Sequence, residues 1–390
     1  MKVLLHMGDP YTLDNPCSKR MSAFSRELIS RGHEVIILAP DTEGIDKEPG
    51  VIYCKTPPLK KKTTINRLLN QGCLAYSSLI AGKKERNVDV VLTTCPPPLI
   101  NISGVKIARK HKAKLIYDVR DVWPDVALEM GSFSETSIYS KAFAFIRNYM
   151  LDKADLVTAV SNGKVEKIKG YNPNKEIKCI PNGFNNDFLN VQINDSLYRD
   201  IRNKNSTICT YIGNLGLAQG IMQLLELAKR AKENDLPISF LLYGSGAEES
   251  MLRKYVKDNN LENVSFEGRL PNKDMRTVLE ASDINFVSLV NANLKDSVPT
   301  KLYEALGVGC PVLLAAEGDS ADILRDTGHG IAVTPNDGES MWDAFIEIYN
   351  NIDSYKANKE YTMNLISTKY SLRRSAKEIV DLMEAMVDKK

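Results

Sequence analysis

At 390 residues the chain exceeds what a single hydrophobic core ordinarily serves, so two domains are expected. Its 43% apolar and 26% charged residues fit a soluble globular protein, and no apolar run approaches the length of a membrane span. A net charge of +2 excludes a general nucleic-acid binder, which needs a concentrated basic surface.

From Met1 the chain enters directly a short apolar strand at Val3–His6, too short a run for a signal peptide. Further strands are predicted at Val35–Ala39, Val51–Cys54, Val88–Thr94, Leu115–Asp118, Leu156–Val160 and Ile177–Ile180. Residues 186–205 are polar, rich in Asn and Asp and poorly periodic, so they are predicted to be a linker between domains 1–185 and 206–370. The second half repeats the pattern with strands at Ile208–Ile212, Ile238–Tyr243, Val264–Glu267, Ile284–Leu289, Val312–Ala315 and Ile331–Val333. Continuous apolar strands alternating with helical periodicity predict an α/β protein made of two Rossmann-like doubly wound parallel-sheet domains facing a cleft. Ligands of such sheets bind at the carboxyl ends of the strands, which directs attention to the strand-to-helix loops.

Five loops and one basic segment carry the chemistry. In Asp296–Gly309, D-S-V-P-T-K-L-Y-E-A-L-G-V-G, Lys301 and Glu304 lie one helical turn apart at a helix start opened by Pro299 and Thr300. A lysine there opposes the helix dipole unless an anion sits between it and the free amides, and a phosphate is the obvious anion. Glu304 can accept hydrogen bonds from a diol such as a ribose, so the segment suits a nucleoside diphosphate. The competing reading is a surface helix with an ordinary Lys/Glu pair.

Gly213, Asn214, Gly216, Gln219 and Gly220 follow a strand, where glycines let backbone amides approach a phosphate. Tyr243-Gly244-Ser245-Gly246 and Glu267-Gly268-Arg269-Leu270 follow the next two strands. In Asp118-Val119-Arg120-Asp121-Val122-Trp123-Pro124-Asp125, Asp121 can accept a proton from an acceptor hydroxyl and Arg120 can clamp an anion bidentately. Trp123 offers a flat face to a sugar ring, or else is a core tryptophan. No D-x-D string occurs and the four histidines are isolated, so no metal and no cofactor is expected. The seven cysteines lack a C-x-x-C pair and read as buried, reduced thiols of a cytosolic protein. Pro49–Lys84 has no acidic residue but carries Lys55, Lys60, Lys61, Lys62, Arg67, Lys83 and Lys84, with apolar residues at helical spacing; it suits either an anionic membrane surface or an ordinary packed helix.

Taken with S-N at Ser161–Asn162, I-P-N-G-F at Ile180–Phe184 and Y-I-G-N-L-G-L-A-Q-G at Tyr211–Gly220, these strings resemble the retaining family-4 glycosyltransferases over nearly the whole chain. The branch they resemble includes the O-antigen and capsule fucosamine transferases. The resemblance implies the GT-B fold, with residues 371–390 crossing back to the amino-terminal domain. It implies a donor site formed by Gly213, Asn214, Gln219, Gly244, Gly246, Arg269, Pro299, Thr300, Lys301 and Glu304. Asp296 takes the place of the first of the family's two glutamates. Asn214 and Gln219 stand where the family usually has an arginine and a lysine for the diphosphate, leaving Lys301 as the main cation.

The resemblance further implies a metal-independent, retaining transfer from a UDP-sugar, N-acetylated or deoxy, to a lipid-linked glycan in surface-polysaccharide assembly. Lys301, Asp296, Arg120 and Asp121 would be catalytic, and Trp123, Arg120 and Asp121 would hold the acceptor. The enzyme would work in the cytoplasm at the inner face of the membrane, attached through Lys60, Lys61 and Lys62. A nucleotide-sugar 2-epimerase and a non-catalytic partner subunit of the same fold remain alternatives.

Overall fold

The computed structural model describes residues 1–11, 15–59, 63–204 and 206–388. The chain divides into two compact units, the first made of Met1–Asn182 with Leu372–Lys390 and the second of Gly183–Ser371.

The first unit holds seven strands, β1 (Lys2–His6), β2 (Glu34–Pro40), β3 (Val51–Cys54), β4 (Val90–Cys95), β5 (Lys114–Val119), β6 (Leu156–Ala159) and β7 (Ile177–Cys179). They form one parallel sheet in the order β3-β2-β1-β4-β5-β6-β7. The six residues of β4 are all buried, as expected of a strand covered on both faces. The register Cys95↔Val119 and Val119↔Ala159 sets the carboxyl ends of β4, β5 and β6 side by side. On one face the sheet is covered by the helices Thr64–Lys84, Asn101–His111 and Ile138–Lys153. On the other lie Pro16–Ser30 and the final helix, Leu372–Asp388. That final helix buries Leu372, Ala376, Ile379, Val380 and Met383 in the same cluster as Val3, Leu5, Phe24 and Leu28. Arg31 ties it at the surface to Asp381 (2.6 Å) and Glu384 (2.9 Å).

The second unit has six parallel strands, β8 (Thr207–Ile212), β9 (Ile238–Tyr243), β10 (Val264–Gly268), β11 (Ile284–Ser288), β12 (Val312–Ala315) and β13 (Gly330–Val333), in the order β10-β9-β8-β11-β12-β13. Ile212 pairs with Tyr243 and Tyr243 with Gly268, so the three glycine-bearing loops leave the sheet together. Residues 186–205, expected as a linker, instead belong to this unit and hold a 3-10 turn at Asn186–Asn190 and a helix at Asp195–Arg202. Their asparagines cap rather than loosen: Asn185 accepts from the Asp187 amide, and Asn194 from that of Leu197. Arg276 donates to the Val191 carbonyl (2.8 Å), and Arg202 pairs with the buried Asp283 (2.7 Å).

The most deeply buried charges of the first unit sit beneath its loops. Arg20 and Asp118 are 1% and 0% exposed and are joined twice, at 3.2 and 2.8 Å. Thr94 and Thr158 hydroxyls complete the carboxylate's shell at 3.0 and 2.8 Å. Burial by itself raises the Asp118 pKa, but the Arg20 charge and these hydrogen bonds prevail and hold it below the usual carboxylate range. Its contribution to stability is therefore present above that range and lost as pH falls through the depressed value. Asp118→Asn leaves Arg20 buried and uncompensated, so the unfolding free energy of this unit should fall by about 3–5 kcal/mol in urea titrations. An unchanged midpoint would show that the pair does not hold the loops' foundation.

Candidate functional site

β8 runs into Gly213, whose N–H donates to the Tyr243 carbonyl at 2.9 Å; two residues on, the Leu215 N–H donates to the Ser245 carbonyl at 3.0 Å. The Gly244 N–H is in turn given to the Gly268 carbonyl at 2.6 Å. The glycine loops are thus laced to one another through their amides. A Cβ on Gly244 would stand 1.8 Å from the Gly213 oxygen, and Gly244 has φ +151°. Glycine there serves the contact between loops. Of the Gly213, Asn214, Gly216 and Gly220 loop expected to bring amides to a phosphate, the Gly213 N–H is thus already engaged within the protein.

Gly213, also at φ +151°, meets something different: its Cβ would lie 2.7 Å from the Lys301 ammonium. Lys301 projects from the first turn of Thr300–Gly307, a helix whose N-cap, Pro299, offers no side-chain hydrogen bond. Its Nζ donates to the Tyr211 hydroxyl (2.7 Å) and to the Gln219 side-chain oxygen (2.6 Å), and lies 4.2 Å from the centre of the Tyr211 ring. Tyr211 passes its own proton to the Asn214 carbonyl (2.7 Å), so its oxygen lone pairs face the lysine. Burial keeps that phenol neutral by raising its pKa, and pushes the lysine down to about 7 despite the attraction of Glu304. A cation held among neutral acceptors in a place that disfavours its charge is poised to take an anion.

The other predicted donor residues surround this centre unevenly. Gln219 is at the centre. Asn214 is exposed and contributes its carbonyl to Tyr211. Gly246 packs on the loop of Leu215, where a Cβ would come 2.2 Å from that residue's oxygen. Arg269 is exposed and reaches the same loops by donating to Ser245 (2.8 Å). Asp296 is buried in the turn before the Thr300–Gly307 helix, and Glu304 is half-buried one turn into it. Tyr211 was quoted in a sequence motif but not selected, because it reads as one apolar residue of a buried strand. Its place as the last but one residue of β8 was the available signal.

In the first unit the β5 loop separates three side chains that the sequence grouped. Arg120 donates through Nε to Thr94 (3.1 Å) and through Nη2 to Asp9 (2.6 Å) and the Pro96 carbonyl (2.8 Å). The edge needed for a bidentate clamp on a substrate is therefore occupied, which corrects that expectation. Trp123 sets its ring edge-on to Phe133 (6.1 Å) and Phe143 (5.5 Å) and joins the core, so the packed alternative describes it and the sugar platform does not. Asp121 remains half-exposed, 3.9 Å from the buried Lys164 ammonium. Asp9 and Lys164 escaped selection because their partners lie 111 and 43 residues away, a separation no local pattern encodes. Lys60, Lys61 and Lys62 lie outside the described residues.

Comparison with known proteins bears on the family and the fold. Residues 18–188 match the model of Glycosyltransferase Family 4, and residues 198–364 that of Glycosyl transferases group 1. The putative colanic acid biosynthesis glycosyl transferase WcaI of Escherichia coli K12 is 26% identical over 341 residues, covering 78% of this chain and 81% of that one. Among solved structures, sucrose-phosphate synthase of Thermosynechococcus elongatus superposes with a TM-score of 0.81 at 16% identity, covering 99% of this chain and 100% of the other. HepE of Anabaena, in complex with UDP, gives 0.75 at 14% identity over 99% and 100%. These likenesses are to the fold. Since the two family models tile most of the sequence onto the two parallel-sheet units, the chain belongs to the GT-B glycosyltransferases, family 4 in its first half and group 1 in its second.

Proposed function

We propose that the protein transfers a sugar from a UDP-linked donor to a lipid-linked glycan during surface-polysaccharide assembly, with retention of anomeric configuration. The observation that carries this reading is the Lys301 ammonium, held by Tyr211 and Gln219 with no carboxylate at ion-pair distance among the described residues, whereas the buried Arg20 and Lys164 each have one. HepE, which shares the fold, is known in complex with UDP, and WcaI is named for colanic acid synthesis; both support the donor and the pathway class. The sugar is taken to be N-acetylated or deoxy on the sequence resemblance, and Glu304 to hold the ribose.

In the proposed reaction the bond between the sugar's anomeric carbon and the β-phosphate oxygen breaks, while the acceptor hydroxyl oxygen bonds to that carbon from the same face. The hydroxyl proton passes to the departing diphosphate. Charge growing on the diphosphate is met by Lys301 and the Thr300–Gly307 helix terminus without need of a metal. Asp121, the one side chain of the β5 loop's Arg120, Asp121 and Trp123 that keeps an open flank, orients the acceptor hydroxyl. The enzyme would work at the inner face of the membrane, where a lipid-linked acceptor resides.

Lys301→Ala and Glu304→Ala should each reduce UDP-sugar turnover by ~10² or more, with UDP affinity falling in calorimetry, because a charge-assisted contact to donor is lost. Unchanged kinetics in either correctly folded variant would remove the donor-site assignment. EDTA should leave wild-type turnover in place; loss that magnesium restores would overturn the metal-free part.

Asp121→Asn separates binding from chemistry. Turnover should drop by ~10² while UDP affinity stays within about threefold, as for a group that acts on the transition state alone. Equal losses of both would place Asp121 with the nucleotide.

A further inference from the structure

The Thr64–Lys84 helix packs Leu68, Leu74 and Leu79 on the core as a surface helix does, yet it also turns apolar side chains to water, where such a helix ordinarily shows polar ones. Ile65, Leu69, Tyr76 and Ile80 are 64%, 60%, 69% and 41% exposed, and Cys73 is exposed between them. Their spacing confines them to one outward stripe about 80° wide on a helix about 32 Å long. The polar side chains turn aside or inward. Ser78 lies within 3.0 Å of His6 Nε2, Ser77 donates to the Lys55 carbonyl (2.8 Å), and Asn70 donates to Thr56 (2.6 Å). The inward face is tight: a Cβ on Gly82 would lie 2.6 Å from the Ile107 side chain. The helix therefore cannot rotate to hide the stripe without breaking that contact.

Its charges are all of one sign. Lys83 and Lys84 are exposed where the stripe ends, Arg67 is exposed near its other end, Lys55 is exposed alongside Ser77, and no acidic residue occurs in Pro49–Lys84. The first acid beyond the helix, Glu85, is already paired with Lys2 at 3.1 Å. We propose that this face lies in the headgroup boundary of an anionic bilayer, with Ile65, Leu69, Cys73, Tyr76 and Ile80 toward the acyl chains and Lys83 and Lys84 against lipid phosphates. A second copy is the poorer occupant. Two antiparallel stripes would bring Lys83 and Lys84 of one copy toward Arg67 of the other, with no acid to meet them. The purpose of such docking rests on the proposed membrane-borne acceptor, and the test reads docking apart from turnover.

Cys73 provides the probe, because Cys17, Cys54, Cys95, Cys209 and Cys310 are buried and Cys179 is half-buried. The full chain, labelled there with a polarity-sensitive dye, should show a blue-shifted emission with vesicles of phosphatidylglycerol and phosphatidylcholine, and none with phosphatidylcholine alone. The combined variant Ile65→Ser, Leu69→Ser, Tyr76→Ser, Ile80→Ser should sediment with the anionic vesicles ~10²-fold less, and Lys83→Gln with Lys84→Gln about 30-fold less. UDP affinity should be unchanged in both variants, which also checks that they are folded. Wild-type sedimentation by the serine variant, or a dye shift driven by protein concentration without lipid, would overturn the proposal. Docking without UDP binding by the wild type would instead count against the donor reading alone.

Discussion

The site depends on the burial of one ammonium group. The Lys301 Nζ is removed from water yet answered by a phenol, an amide oxygen and an aromatic face, none of which carries charge. Such partners offset part of the desolvation cost, and the lysine's pKa records the remainder by falling to about 7. Everything around it serves that placement. Gly213 leaves the space in which the ammonium sits, Asn214 fixes the Tyr211 proton through its carbonyl, and the laced glycine loops keep β8, β9 and β10 from spreading.

The first unit treats its buried cations in the opposite way. Arg20 is matched by Asp118, Arg120 by Asp9, and Lys164 stands beside Asp121. Even within the second unit, Asp283 is matched by Arg202 and Lys356. Paired charges hold a scaffold, whereas a charge left among neutral acceptors has capacity for a ligand. That contrast, more than any glycine motif, distinguishes Lys301 from the buried Arg20 and Lys164.

The thirteen strands among the described residues were visible in the sequence because most of them are short apolar runs, as parallel strands covered on both faces are. The Lys301 and Glu304 spacing was visible too, since one helical turn is a local relation. What stayed hidden was non-local. The Asp9 partner of Arg120 and the Lys164 neighbour of Asp121 are set by the folded sheet, and the docking of the Leu372–Asp388 helix on the first unit was anticipated from the resemblance alone, its periodicity naming no partner. Residues 186–205 misled because the asparagines that cap their short helices look in sequence like those of a flexible connection. Trp123 misled because a charged loop suggests a cleft, while its ring turns back into the core.

If Lys301 receives the diphosphate, it must be protonated when it does so. In the free protein that proton is leaving near pH 7, and a bound anion would restore it. The decisive measurement is calorimetric titration with UDP above pH 7, in buffers of different ionisation enthalpy, a range clear of the phosphate's own ionisation near 6. Below the lysine's value the group is already charged and gives no pH dependence. Above it, affinity should fall by up to ~10-fold per pH unit, with uptake approaching about one proton per UDP, and Lys301→Ala should abolish both effects. Affinity that is flat from about pH 7 to 9, with no proton taken up, would contradict the assignment of this buried lysine to the donor phosphates.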